Sequence, residues 1–269
     1  MVDLPRRHEY SYLVCLEDWS DEMREVDDAK ERWYERMKGR GLRVKLAIDE
    51  DDRPLGMIQY LPIEESMAEG SDLYMILCIW VLGYDEAAVG DVQGAGIGTA
   101  LLTAAEDDAR SRGAKGMAAW GIRMPFWMRS SWFKKHGYRS AAQRRGSELV
   151  WKPFADDACA PGWLPEKPPP AGAPDRVTVT AFQCGWCPAM NVVCRRAERV
   201  VREIGSPAEF TRVDTTTHEA MVAAGQCDAV FVDGRRLQRG APPSIDAIRR
   251  RVGRRVRRLR RSDPHPGAN

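Results

Sequence analysis

The chain has 269 residues, of which 43% are hydrophobic and 30% charged, and its formal net charge is +2. That length exceeds one ordinary core of about 100–150 residues and suits two, and the composition excludes a disordered or fibrous chain. The longest apolar stretch, Tyr74 to Leu82, is too short to cross a bilayer, and no apolar run follows the two early arginines as a secretory signal requires, so a cytoplasmic protein with no membrane partner is expected.

In chain order, Glu9 to Glu17 reads as a strand and Asp27 to Arg40 as a helix. Val44 to Asp49 and Leu55 to Pro62 read as two strands across an acidic turn. Leu73 to Leu82, rich in β-branched and aromatic residues, reads as a buried central strand. Gly98 to Arg112 spaces Leu101, Leu102 and Ala105 as a helix does. Lys115 to Ile122 is a predicted strand, Arg129 to His136 a short helix ended by Gly137, and Glu148 to Lys152 a last strand. The expectation is an α/β fold with a mixed sheet.

Residues 161–175 contain six prolines, which cannot continue a helix or a central strand. The predicted division is therefore a first domain over 1–158, a proline-rich linker over 159–175, a second domain over 176–256 and a basic tail over 257–269. In the second domain, Val177 to Phe182 reads as a strand. Cys184-Gly185-Trp186-Cys187-Pro188 then leads into a helix with Val193, Cys194, Ala197, Val200 and Val201 on one face. Ala229 to Val232 with the Asp233-Gly234 turn reads as a strand and hairpin, and Ser244 to Val256 as a final helix.

Two motifs carry chemistry. The first is Gln93-Gly94-Ala95-Gly96-Ile97-Gly98-Thr99, between the central strand and its helix. Glycines let such a loop pass close to a ligand, and the unpaired amides and dipole of the helix start favour an anion such as a pyrophosphate. It lacks the lysine and hydroxyl residue of a nucleotide P-loop, and it stands in mid-domain rather than at an N-terminal dinucleotide fold. A glycine-rich turn without ligand is the plainer alternative.

With Trp132-Phe133-Lys134-Lys135-His136-Gly137-Tyr138 downstream, the order and spacing over roughly residues 5–153 resemble the GNAT family of N-acetyltransferases. The resemblance implies acetyl-CoA as cofactor, bound by Gln93, Gly94, Ala95, Gly96, Ile97, Gly98 and Thr99 at its pyrophosphate and by Trp80, Val81 and Leu82 along its pantetheine arm. It further implies acetyl transfer to an amine. Many members carry a tyrosine four residues before the closing glycine, placed to protonate the departing thiolate; here that residue is Phe133. A general base must take a proton from the attacking ammonium, and Asp85 and Glu86, with Asp91 nearby, are candidates in the long loop after the central strand. Pro125, Phe126, Trp127 and Met128 offer an apolar wall on the acceptor side.

The second motif, a strand followed by C-x-x-C and a helix, is a redox arrangement: helix-start amides lower the pKa of Cys184 as nucleophile, and Cys187 can resolve a mixed disulfide. Residues 175–256 resemble a small thioredoxin or glutaredoxin fold. That family places a cis-proline before the late strand, facing the thiols, where this chain has Gly225-Gln226-Cys227-Asp228. Without it a second reading stands beside redox exchange, in which Cys184 and Cys187, joined by Cys227, hold a soft metal or metalloid. The two motifs together resemble the YoaP-like group of bacterial acetyltransferases. The leading expectation is an N-acetyltransferase acting on a small-molecule amine, with a thiol domain for redox, thiol-substrate or metal handling. The rival is a metal- or thiol-binding protein on a degenerate acetyltransferase fold. A homodimer is a further possible assembly.

Seven cysteines, an odd number spread over both halves, fit reactive, metal-binding or buried thiols better than a disulfide framework. Nine arginines and no acid occupy residues 249–261, so the rest of the chain is net negative. No aromatic residue interleaves with them, and a solvated basic helix end is expected rather than a nucleic-acid site.

Overall fold

The computed structural model describes residues 1–84, 89–124, 127–237 and 240–262. The chain divides into two compact units, Met1–Ser20 with Tyr34–Leu164, and Asp21–Trp33 with Pro165–Asn269. None of the described helices is long and apolar enough to cross a membrane.

The first unit opens with β1 (Val2–Asp3), a 3-10 turn at Arg6–His8 and α1 (Glu9–Leu13). The strand expected over Glu9 to Glu17 is thus a short helix. The alternating pattern there is too short to separate the two periods, and Tyr12 and Leu16, four residues apart, are both buried. Cys15 and Leu16 then take positive φ, which ends the helix. The chain next supplies the second unit with α2 (Asp21–Arg24) and the start of α3 (Ala29–Lys38), where Asp27 Oδ1 accepts a bond from the Ala29 amide.

The main sheet follows from β2 (Arg43–Ile48), β3 (Pro54–Pro62), β5 (Leu73–Val81), β6 (Gly116–Ile122), β7 (Arg139–Arg144) and β8 (Ser147–Pro153). Its strand order is β1-β2-β3-β5-β6-β8-β7, parallel between β5 and β6 and antiparallel elsewhere. Helix α4 (Ile97–Ser111) turns Leu101, Leu102, Ala105 and Ala109 onto a core with Ile58, Ile76, Met117 and Ala119 from the strands. Each fully buried leucine there contributes about 1.5–3 kcal/mol. Helix α5 (Ser130–Lys135) precedes β7, an edge strand that Arg-Ser-Ala-Ala-Gln-Arg does not announce because it has no β-branched or aromatic residue. The turn makes it: Arg145 and Gly146 both have positive φ and join β7 to β8 as a two-residue hairpin.

The proline-rich stretch is not spacer throughout. Its Gly162–Trp163 is β9, paired with β4 (Ala68–Glu69), and Arg144 donates to the Leu164 carbonyl at 2.6 Å.

The second unit is a four-stranded sheet in the order β11-β10-β12-β13, from β10 (Val177–Gln183), β11 (Ala208–Asp214), β12 (Ala229–Val232) and β13 (Arg235–Arg236). β10 runs parallel to β11 and antiparallel to β12. Between the strands lie α6 (Pro188–Ile204) and α7 (His218–Ala224), with α8 (Ile245–Ser262) last. β11 and α7 were not foreseen: Glu, Thr, Arg and Asp obscure the strand, whereas the Thr217 cap, accepting from the Ala220 amide, and left-handed Gly225 are legible afterwards. The stretch expected as a tail from 257 continues α8 to Ser262, with Ile248, Val252 and Val256 buried against Val193, Ala197 and Val200. Two arginines earlier in α8 are used internally, Arg255 on Asp233 at 2.6 Å and Arg251 on the Arg236 and Leu237 carbonyls.

Candidate functional site

In the first unit, the β5 to β6 ladder runs only from Leu73 with Gly116 to Ile76 with Ala119, although both strands continue. Beyond Ile76 the parallel pair is open. The Trp120 indole N–H donates to the Leu77 carbonyl at 2.8 Å, holding the point where the strands part, and its ring meets Trp127 edge-on at 5.2 Å. On the far side of the opening, the Gln93 side-chain amide donates to the Val81 carbonyl at 3.1 Å and the Val92 amide to the Leu82 carbonyl at 3.1 Å. Val81 and Leu82, expected along a cofactor arm, therefore lie at the loop's root, with Trp80 one residue before them.

Gly94 and Gly96 both have φ of +80°, a region that favours glycine. Gly96 is the N-cap of α4 and supplies no side-chain acceptor, so the first amides of a 15-residue helix keep their donor capacity. Gln93, Gly94, Ala95 and Gly96 are exposed, and a Cβ at Gly94 or Gly96 would meet no atom within 4 Å. This is an open cradle of backbone donors, and it fits an anionic pyrophosphate. Gly98, by contrast, lies under Trp132, 3.4 Å from where its Cβ would be.

Thr99, in the first turn of α4, is 3.0 Å from His136 Nε2, while His136 Nδ1 is 2.8 Å from the Trp132 carbonyl. A carbonyl can only accept, so Nδ1 carries the proton and the Thr99 hydroxyl donates to Nε2. The sequence marked Thr99 but gave His136 no role at the site; what links them is the fold, since they stand 37 positions apart. Phe133, where the resemblance leads one to expect a tyrosine, is fully buried in the core and carries no hydroxyl. Asp91 is exposed and accepts from the Gln93 amide at 2.8 Å, a loop-shaping role. The base candidates Asp85 and Glu86, and Pro125 and Phe126 of the expected wall, lie outside the described residues.

The second unit gathers a different constellation. Cys184 leaves β10 and Cys187 is the N-cap of α6, but the group within mutual ligating distance is Cys184, Cys227 and Asp228, whose ligand atoms all lie within 4.8 Å. Among the described residues this group has Asp228 where the expected set of Cys184, Cys187 and Cys227 had Cys187. Asp228 Oδ1 accepts from the Cys184 amide at 2.9 Å, and the Cys227 thiol donates toward Oδ2 at 3.6 Å. Asp228 was missed, although it directly follows a singled-out cysteine. Gly185 has φ of +107°, and a Cβ there would stand 2.9 Å from the Ala29 carbonyl oxygen, so Cys-Gly-Trp-Cys runs closely under the α3 start. Arg196 of α6 clasps Glu25 at 2.7 and 3.0 Å, fixing the same early segment.

This setting changes the thiol chemistry. The Cys227 hydrogen bond pulls the Cys184 pKa down, yet burial and the Asp228 and Asp214 charges outweigh it and the net shift is upward. Cys227 goes well up through its bond to Cys184, its burial and Asp228. Burial pushes the Asp228 carboxyl up to about 6, and burial likewise pushes Cys194, packed beside Gln183, up to about 12. The lowered thiol pKa expected at a helix start is not found at Cys184, because carboxylates and desolvation act against the helix amides.

A parted parallel strand pair beside a glycine loop that opens a helix leaves room for an extended ligand with an anionic end. In agreement, residues 7–138 match the acetyltransferase (GNAT) family. These residues form a GNAT acetyltransferase domain, and the protein is an acetyl-CoA-dependent N-acetyltransferase. Similar solved structures include a GNAT-family acetyltransferase from Staphylococcus aureus Mu50, 13% identical, covering 57% of this chain and 98% of that one at a TM-score of 0.43. A ribosomal-protein-alanine N-acetyltransferase from Brucella melitensis is 18% identical, covers 57% and 98%, and has a TM-score of 0.42. A Brucella melitensis GNAT acetyltransferase in complex with acetyl-CoA is 15% identical, covers 60% and 93%, and has a TM-score of 0.40. No curated protein matches the chain.

Proposed function

We propose that the enzyme transfers acetyl from acetyl-CoA to a small amine, and that its second unit is a thioredoxin-like thiol module serving redox, thiol-substrate or metal handling. The observation that carries the first part is the opening of β5 from β6 beyond Ile76, next to the exposed amides of the α4 start. Gln93 to Thr99 would hold the pyrophosphate, and the parted edge of β5 would take the pantetheine arm by strand-like hydrogen bonds. At the end of that strand Trp19, Tyr84 and Trp80 form an aromatic cluster, with ring centroids 5.5 and 5.9 Å apart in turn. Aromatic faces of this kind attract a protonated amine, which supports an amine acceptor.

For the second unit, the support is a β-α-β-α-β-β-α order with a central strand leading into Cys-Gly-Trp-Cys at a helix start. The proline of the thioredoxin pattern is absent before β12, and the described cis peptide, Ser206–Pro207, lies elsewhere, before β11.

The test is a thermal shift with acetyl-CoA followed by CoA-release assays over a panel of small amines, peptides and alcohols. A shift in the wild type that Gly96→Glu abolishes, with turnover confined to small amines, is expected. Turnover only on peptide termini overturns the acceptor, and no shift overturns the cofactor site.

A further inference from the structure

We propose that Cys184, Cys227 and Asp228 form a three-ligand site for a single thiophilic divalent cation of the zinc and cadmium class, in which Cys187 takes no part. The proposal rests on the reading of the second unit as a thiol site and names the ligands within it. Its origin is strand register. β10 and β12 pair antiparallel with Phe182 opposite Ala229, so continuing the ladder by two residues sets Cys184 opposite Cys227. Cys184 and Cys187 share the turn into α6, but Cys184 and Cys227 meet across the sheet.

The dimensions suit a small tetrahedral centre. Bonds of about 2.0–2.3 Å to oxygen and sulfur place tetrahedral ligands roughly 3.5 Å apart, and the three ligand atoms already lie within 4.8 Å of one another. Their backbones are held independently: the Thr215 hydroxyl donates to the Cys227 carbonyl at 2.5 Å, Arg236 donates to the Asp228 carbonyl at 2.9 Å, and the Cys184 amide orients the Asp228 carboxylate. Such outer contacts hold ligands in place before the ion arrives.

The donor set selects the ion. Two thiolates and a carboxylate carry three negative charges, which a partly buried site tolerates poorly unless a cation offsets them. Sulfur donors disfavour magnesium and calcium and favour zinc, cadmium or another soft ion. Cys184 is 2% exposed while Cys227 and Asp228 are half-buried, so the group is reachable from one side. Three protein ligands leave the fourth position to water or to a ligand thiol or amine.

The experiment titrates the reduced full chain with Cd2+, following the thiolate-to-metal ultraviolet band, with Zn2+ as competitor. Alkylation of the cysteines is then mapped by mass spectrometry with and without metal. One equivalent is expected, shielding Cys184 and Cys227 but leaving Cys187 labelling unchanged. Cys227→Ser should lose the band, Asp228→Asn should weaken binding by about tenfold or more, and Cys187→Ser should bind as the wild type does. Circular dichroism confirms that each variant is folded. Absence of binding to the wild type overturns the site. So does loss in Cys187→Ser with retention in Cys227→Ser, an outcome that leaves the wider thiol-site reading standing on a Cys184 and Cys187 chelate. If the wild type binds no metal and Cys184 also resists both alkylation and disulfide formation in the folded protein, the wider reading fails as well.

Discussion

The two sites differ in what they are made of. The Gln93 to Thr99 cradle is backbone, exposed and open, and its specificity lies in two positive-φ glycines and a helix start without a side-chain cap. The cluster in the second unit is side chain, closed in by the Gly185 approach to Ala29 and assembled across strands. A backbone site is written in consecutive residues and fails when the path of the chain is blocked. A side-chain site is written in distant residues and fails one ligand at a time.

The largest expected effect breaks the first of these. Gly96→Glu puts a side chain at φ +80° and a carboxylate where an anion should bind, so turnover should fall about 100-fold or more and the acetyl-CoA thermal shift should vanish. Next, Leu101→Ala removes a fully buried leucine under the same helix and should cost about 2–5 kcal/mol by denaturant unfolding. Trp120→Phe keeps the ring but loses the hydrogen bond to the Leu77 carbonyl, and should lower kcat/KM about tenfold with little change in Tm if that contact sets the strand opening. Unchanged kinetics would show that the strands part without it.

The smallest effect concerns pH. Burial acts to raise the Asp108 pKa, but hydrogen bonds from Arg112, Arg43 and Tyr60 outweigh it and hold the carboxyl at about 2. Its value in the unfolded chain is about 3.9. The folded value is the lower one, so the ionised form stabilises the fold; this contribution is complete above about pH 4 and lost as the pH falls toward 2. The Tm deficit of Asp108→Asn relative to wild type should therefore be constant near neutrality and narrow in acid. A deficit that widens in acid would contradict the assignment.

Consecutive signals were legible. The central strand, the glycine loop and the α4 face were read within a residue or so, because periodicity and glycine placement act over a few positions. Three features were not. The helix at Glu9–Leu13 looks alternating until Tyr12 finds Gln59, to which its hydroxyl donates at 2.7 Å. β7 depends on a hairpin turn rather than on its own residues, and β11 on pairing with β10. At the sites, His136 and Asp228 escaped because each gains its meaning from a residue 37 or 44 positions away.

By itself, then, the sequence determined which segments can carry chemistry: a glycine-lined helix start suited to an anion, and a thiol pair at the head of another helix. Local conformation settles both, since positive φ and helix amides need only neighbouring residues. Only the tertiary structure decided that β5 parts from β6 beside the loop and that Cys184 faces Cys227 and Asp228 across a strand ladder. Those are matters of register and pairing, set by contacts between segments far apart in the chain.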